Sequence, residues 1–167
     1  MDTSPTSAPP KLALPPLVWL LLAGFDFGLA GYASAWLLLR DAAEDWQALR
    51  FAAPAAAFLT GVVLWRLLAL YQTGRLWLRG AAAGGLTGLL AHPLAWYLAS
   101  LYFFFSGASS SLGEPVLNPL EAIPASLLYA LLSLLAAGWI TVPLGALVGL
   151  ALAGFQKALY TRPGGNG

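Results

Sequence analysis

The chain has 167 residues, 59% hydrophobic and 9% charged, against about 45–50% apolar and about 25% charged in soluble domains. A water-soluble fold of this length cannot hide so much apolar surface, whereas a bundle in lipid need not hide it, because hydrocarbon solvates the outward side chains. A net charge of +1 with eight scattered Lys and Arg speaks against a nucleic-acid partner, and the absence of Cys excludes disulfides, thiol redox chemistry and Cys-ligated metal centres.

In chain order, residues 1–12 are rich in Ser, Thr and Pro and predict a flexible tail. The run 17–39 is broken by one charge, Asp26, and at about 1.5 Å per residue it can cross about 30 Å of hydrocarbon. A cleavable signal peptide is the alternative, with Ala33-Ser34-Ala35 as its small-residue cut site. Asp26 would interrupt its core, however, and Trp36 to Leu39 extend the apolar run past the cut. A polar stretch at 40–50 leads to a second span at 51–71 with Pro54 and Arg66, and the third, 80–105, carries His92-Pro93. The loop 106–124 has Glu114 and Glu121 but no cation. The last apolar region, 125–155, exceeds the hydrocarbon thickness. Pro143 predicts a kink in it near Trp139, and the alternative is a hairpin turning there. Residues 161–167 predict a second flexible tail.

The expectation is therefore an all-α polytopic bundle of four membrane-spanning helices, forming one domain at 13–160 with N-in, C-in topology. The orientation follows from the cations: Lys11, Arg66, Arg75, Arg79, Lys157 and Arg162 fall on one side, Arg40 and Arg50 on the other, and the richer side is cytoplasmic. A bacterial plasma membrane is the expected location.

Small residues let helices approach closely in lipid. Gly80, Gly84 and Gly88 recur at four-residue steps with His92 at the next step, Gly145 and Gly149 repeat the spacing, and Gly24, Gly28, Gly31 and Ala35 form a further stripe. These predict packing faces within the chain, with dimerisation through one of them as the alternative. Asp26 points roughly away from the Gly24 stripe, and a carboxylate near mid-membrane costs at least about 2.5 kcal/mol unless protonated or paired. His92 lies at comparable depth, so an Asp26–His92 hydrogen bond is expected, either fixing helix register or relaying protons or ions. The alternative is separate satisfaction, with His92 bonded to a carbonyl freed by Pro93. Arg66 is placed to snorkel to the cytoplasmic surface or to contact an anionic lipid. The acids Asp41, Glu44, Asp45, Glu114 and Glu121 read as solvated loop charge rather than a catalytic pair.

One His excludes a bis-histidine haem within the chain. No nucleophile elbow, zinc-protease pair or phosphate-binding loop occurs. The expected function is that of a non-catalytic accessory, assembly or scaffold subunit without cofactor or metal. Its partners would be the lipid bilayer and either other membrane subunits or its own copies. The alternative is a small transporter or channel component using Asp26 and His92. Reporter fusions after Trp46 and Ser110 should read outside and those after Gly74 and Gly165 inside; an external C-terminus alone would require an odd number of crossings.

Overall fold

The computed structural model describes residues 14–41, 47–70, 75–107 and 116–160. The expected tails, the cations Lys11 and Arg162, and the acids Glu44, Asp45 and Glu114 lie outside these. Four helices follow one another: α1 (Pro16–Leu39), α2 (Gln47–Leu68), α3 (Leu76–Ser106) and α4 (Ala122–Tyr160). All four are long and apolar enough to cross a membrane, the architecture of a multi-pass integral membrane protein.

Helix ends follow local chemistry. Prolines at 15 and 16 suit the opening of α1, where an amide donor has no partner in any case. Its far end lacks a basic residue in the last turn. Arg50 of α2 supplies the positive group instead, donating through Nη2 to the carbonyls of Leu39, at 2.5 Å, and Arg40, at 3.1 Å. That contact explains why α2 begins at Gln47, four residues before the expected 51. Gly107, at φ 66°, ends α3 in the left-handed conformation. Ahead of α4, Asn118 Oδ1 accepts from the amides of Leu120 and Glu121, each at 3.0 Å, while Glu121 Oε2 accepts from the Asn118 amide at 3.2 Å. This reciprocal arrangement is a capping box, so Glu121 opens a helix rather than merely charging a loop.

Helix α4 is unbroken through Pro143, so the hairpin alternative does not form. Its 39 residues span about 58 Å, more than a bilayer core. Trp139 points outward and donates its indole N–H to the Ala136 carbonyl at 2.9 Å.

The helices pack as antiparallel neighbours in sequence order: α1 on α2, α2 on α3, and most extensively α3 on α4, whereas α4 returns only sparingly to α1. At one end all four meet around Trp19, Ala23 and Phe27 of α1, Trp65, Ala83 of α3, and Leu152 and Ala153 of α4, with the Trp19 and Phe155 rings edge to face at 5.9 Å. At the other end the buried cluster is Leu49, Ala52 and Ala99, on α2 and α3 alone. The bundle is closed at its first end and open along the α1/α4 seam at the second.

Glycines set the two tightest pairings. A methyl on Gly80, Gly84 or Gly88 would strike the carbonyls of Gly149, Gly145 and Thr141 respectively, backbone against backbone. On α1, Gly24 lies under Phe58 and Val62, with an added Cβ 2.7 Å from each, and Gly31 under Ala57, at 2.9 Å. Gly28 is looser, its nearest neighbour the Pro54 carbonyl at 3.4 Å. Gly85, one residue from Gly84, would meet only Ala146 Cβ at 3.8 Å. Gly84→Ala should therefore lower thermal stability in detergent, by about 1–3 kcal/mol from overpacking against an unyielding backbone. Gly85→Ala should be neutral or slightly stabilising through helix propensity. Equal effects at the two positions would show that α3 and α4 do not meet at this register.

Candidate intramembrane site

The stripe of α3 that carries Gly80, Gly84 and Gly88 continues at the same four-residue step to His92. On α4, Gly149 and Gly145 continue to Thr141, Ala137 and Ser133. Because the helices run antiparallel with Gly80 on Gly149, Gly84 on Gly145 and Gly88 on Thr141, the register carries His92 to the level of Ala137, between Thr141 and Ser133. The imidazole bridges them: Nδ1 lies 2.8 Å from Ser133 Oγ and Nε2 2.9 Å from Thr141 Oγ1. The small side chain of Ala137 leaves room for the ring.

The two hydroxyls also face their own helix, Ser133 Oγ at 3.1 Å from the Ala130 carbonyl and Thr141 Oγ1 at 3.3 Å from the Ala137 carbonyl. A neutral imidazole brings one N–H, and each hydroxyl brings one O–H. Three protons thus serve four short contacts, and the chain of bonds has a direction. Either Ser133 donates to Nδ1 while Nε2–H donates to Thr141, or the reverse. Both arrangements satisfy the ring and lock α3 to α4.

The structure does not bring Asp26 to His92, and the expected pair is corrected to two separate polar positions. Gly24, Gly28 and Gly31 turn one face of α1 onto α2, which carries Asp26 to an exposed position in a groove between α1 and α4. Leu29, Ala33, Leu144, Val148 and Phe155 line the same groove. Asp26 has no hydrogen-bond or salt-bridge partner among the described residues. The second face of α1 is therefore not covered by its own chain. His92 also makes no use of a carbonyl freed by Pro93, since both of its ring nitrogens are taken up by α4.

Arg66 is exposed in the last turn of α2, at the end of the bundle that also holds Arg75, Arg79 and Lys157, with Arg40 and Arg50 at the other. Asp41 pairs with its neighbour Arg40 at 3.1 Å, both side chains exposed. Among the described residues no three His, Asp or Glu gather as metal ligands.

Ser133 and Thr141 went unnoticed in the sequence. The signal was available in the spacing, since both continue the Gly145–Gly149 step and so share its face.

The bridge predicts a measurable coupling. In a double-mutant cycle, His92→Phe and Thr141→Val should couple by about 0.5–2 kcal/mol in detergent, whereas Asp26→Asn and His92→Gln should be additive; the opposite pattern would place His92 against α1. No family model matches the chain, and neither a curated protein nor a solved structure matches it.

Proposed function

We propose that the protein is a non-catalytic accessory or assembly subunit that associates laterally with another membrane protein through Asp26. The observation that carries this reading is the exposed position of that carboxylate, without a partner among the described residues, near the middle of α1. In hydrocarbon, an ionised or even a protonated carboxyl group gains several kcal/mol from a hydrogen-bonding partner. The described cations sit at the helix ends, so a donor at this depth would come from another helix, most simply one bearing Lys or Arg. The grooved, apolar surround of Leu29, Ala33, Leu144 and Val148 would exclude lipid from the contact.

The bundle end carrying Arg66, Arg75, Arg79 and Lys157 is the cytoplasmic one in this reading, with both termini inside. Arg66 there is free to contact anionic headgroups. The transport alternative rested on an Asp26–His92 contact that the structure lacks, and it has correspondingly less support.

Purification from native membranes in mild detergent tests the proposal. The wild-type chain should emerge with a stoichiometric foreign subunit. Asp26→Leu should lose that subunit while keeping its own melting temperature, because Asp26 touches no polar group of its own bundle. A chain that purifies alone, with pH-linked flux in proteoliposomes, would replace this reading by the transport one.

A further inference from the structure

The open α1/α4 seam encloses a second feature, independent of Asp26: a cavity of about 780 Å³ walled by α1, α2, α3 and the outer half of α4. Its volume lies within the range of about 300–1,000 Å³ typical of small-molecule sites. We propose that it binds an uncharged, lipid-soluble molecule carrying a hydroxyl or carbonyl oxygen on an apolar chain or ring.

Charge is disfavoured by the wall, which among the described residues contains no Asp, Glu, Lys or Arg. A charged ligand would be desolvated with nothing to balance it. Most of the lining is Ala, Gly, Leu and aromatic, including the rings of Trp96 and Tyr129, tilted by 31° with centroids 5.0 Å apart. Hollows of this character do not hold water well, since each water needs two to four polar partners; facing lipid, they fill with apolar matter.

The oxygen is called for by Ser34. Its side chain lines the cavity, it is 7% exposed, and it has no hydrogen-bond partner among the described residues. The other described Ser and Thr hydroxyls of the spans behave differently. Thr60, Thr87, Ser100, Ser126, Ser133 and Thr141 each lie within bonding distance of a carbonyl three or four residues earlier, the usual way a hydroxyl is satisfied inside a membrane helix. Among the described serines and threonines, Ser34 alone keeps its hydroxyl available to the cavity. Across the same space stands the His92 bridge, whose ring and hydroxyls also line the wall. One polar atom on the ligand can thus bond to Ser34 while its apolar body packs against Ala and Leu.

The occupant is a small molecule rather than a spanning helix of a partner. The cavity ends at the four-helix core of Trp19, Phe27, Trp65 and Leu152, which blocks passage through the full thickness of the membrane. Ala30 and Leu144 belong both to the cavity wall and to the groove outside, so the seam between them is the lateral way in from lipid.

The experiment uses the full chain in liposomes and a long-chain alcohol bearing a diazirine in its chain. Irradiation should give saturable adducts on the cavity-facing segments of α1 and α3. Unlabelled long-chain alcohol and long-chain ketone should compete, and an alkyl trimethylammonium of equal length should not. Ser34→Ala removes one oxygen that the protein itself does not use, so the fold is retained and the half-saturating concentration should rise about two- to ten-fold, the worth of one neutral hydrogen bond. Ala91→Phe, which fills the space, should abolish saturable labelling. The proposal is overturned if labelling is non-saturable and confined to lipid-facing positions such as Leu131 and Leu135, or if Ser34→Ala leaves the half-saturation unchanged. A photoreactive side chain at Ala91 that captures a polypeptide in native membranes, instead of a lipid, would overturn it as well.

Discussion

The rest of the structure depends on the backbone contact between α3 and α4. Gly80, Gly84 and Gly88 bring the two main chains so close that no side chain fits between them at these levels. In lipid, where apolar side chains gain nothing by leaving one apolar neighbour for another, such close packing is the main source of helix association. It also sets a register. With Gly84 on Gly145, neither helix can slide without placing a side chain against a carbonyl, and that register alone delivers His92 to Ser133 and Thr141. The polar bridge continues the glycine contact: where the stripe stops being glycine, it becomes hydrogen-bonded.

A second glycine pairing, α1 on α2, is less severe, since an added Cβ on Gly24 would meet only side chains of α2 and one on Gly31 the Ala53 carbonyl at 3.2 Å, against 2.5 Å or less for the α3 glycines. The two hairpins join through α2 and α3, and this order of contacts leaves the ring of four incomplete between α1 and α4. Closure at the end bearing Trp19, Trp65 and Phe155 and divergence at the other produce one cavity inside the seam and one groove outside it. Both positions of interest follow from this single asymmetry. Asp26 sits on the outer edge of the seam and Ser34, two turns further along α1, on its inner wall. At the closed end, Trp19 Nε1, Trp65 Nε1 and Gln156 Oε1 are buried without partners among the described residues.

Much of the fold was legible in the sequence because the relevant signals are local. Apolar runs of about twenty residues become spanning helices whatever their neighbours do, since backbone polar groups in hydrocarbon have only their own helix to bond to. The four expected spans accordingly correspond to four helices, with differences confined to the ends. There, Arg50 and the Asn118–Glu121 box extend α2 and α4 beyond their apolar cores. The stripes were equally visible, because a four-residue repeat puts small residues on one face of any helix. The hairpin alternative that Pro143 raised does not form. A proline inside a membrane helix removes one bond, and the remaining turns of α4 hold the segment in one piece.

By itself the sequence determined the number of helices, their approximate bounds and the faces that could be packed. These quantities depend on rise and period along one helix. Tertiary structure alone decided which face meets which helix. His92 turned toward α4 because its stripe is the glycine stripe, and Asp26 turned outward because α1 gave its own small-residue face to α2. Depth is a one-dimensional property and is additive along the chain, whereas the rotation of a helix about its axis is settled by the sum of its contacts with every neighbour at once. Neighbouring helices are also offset along their axes: His92 meets Ser133 and Thr141 of α4, whereas Asp26 lines the groove beside Leu144, Val148 and Phe155, further along the same helix.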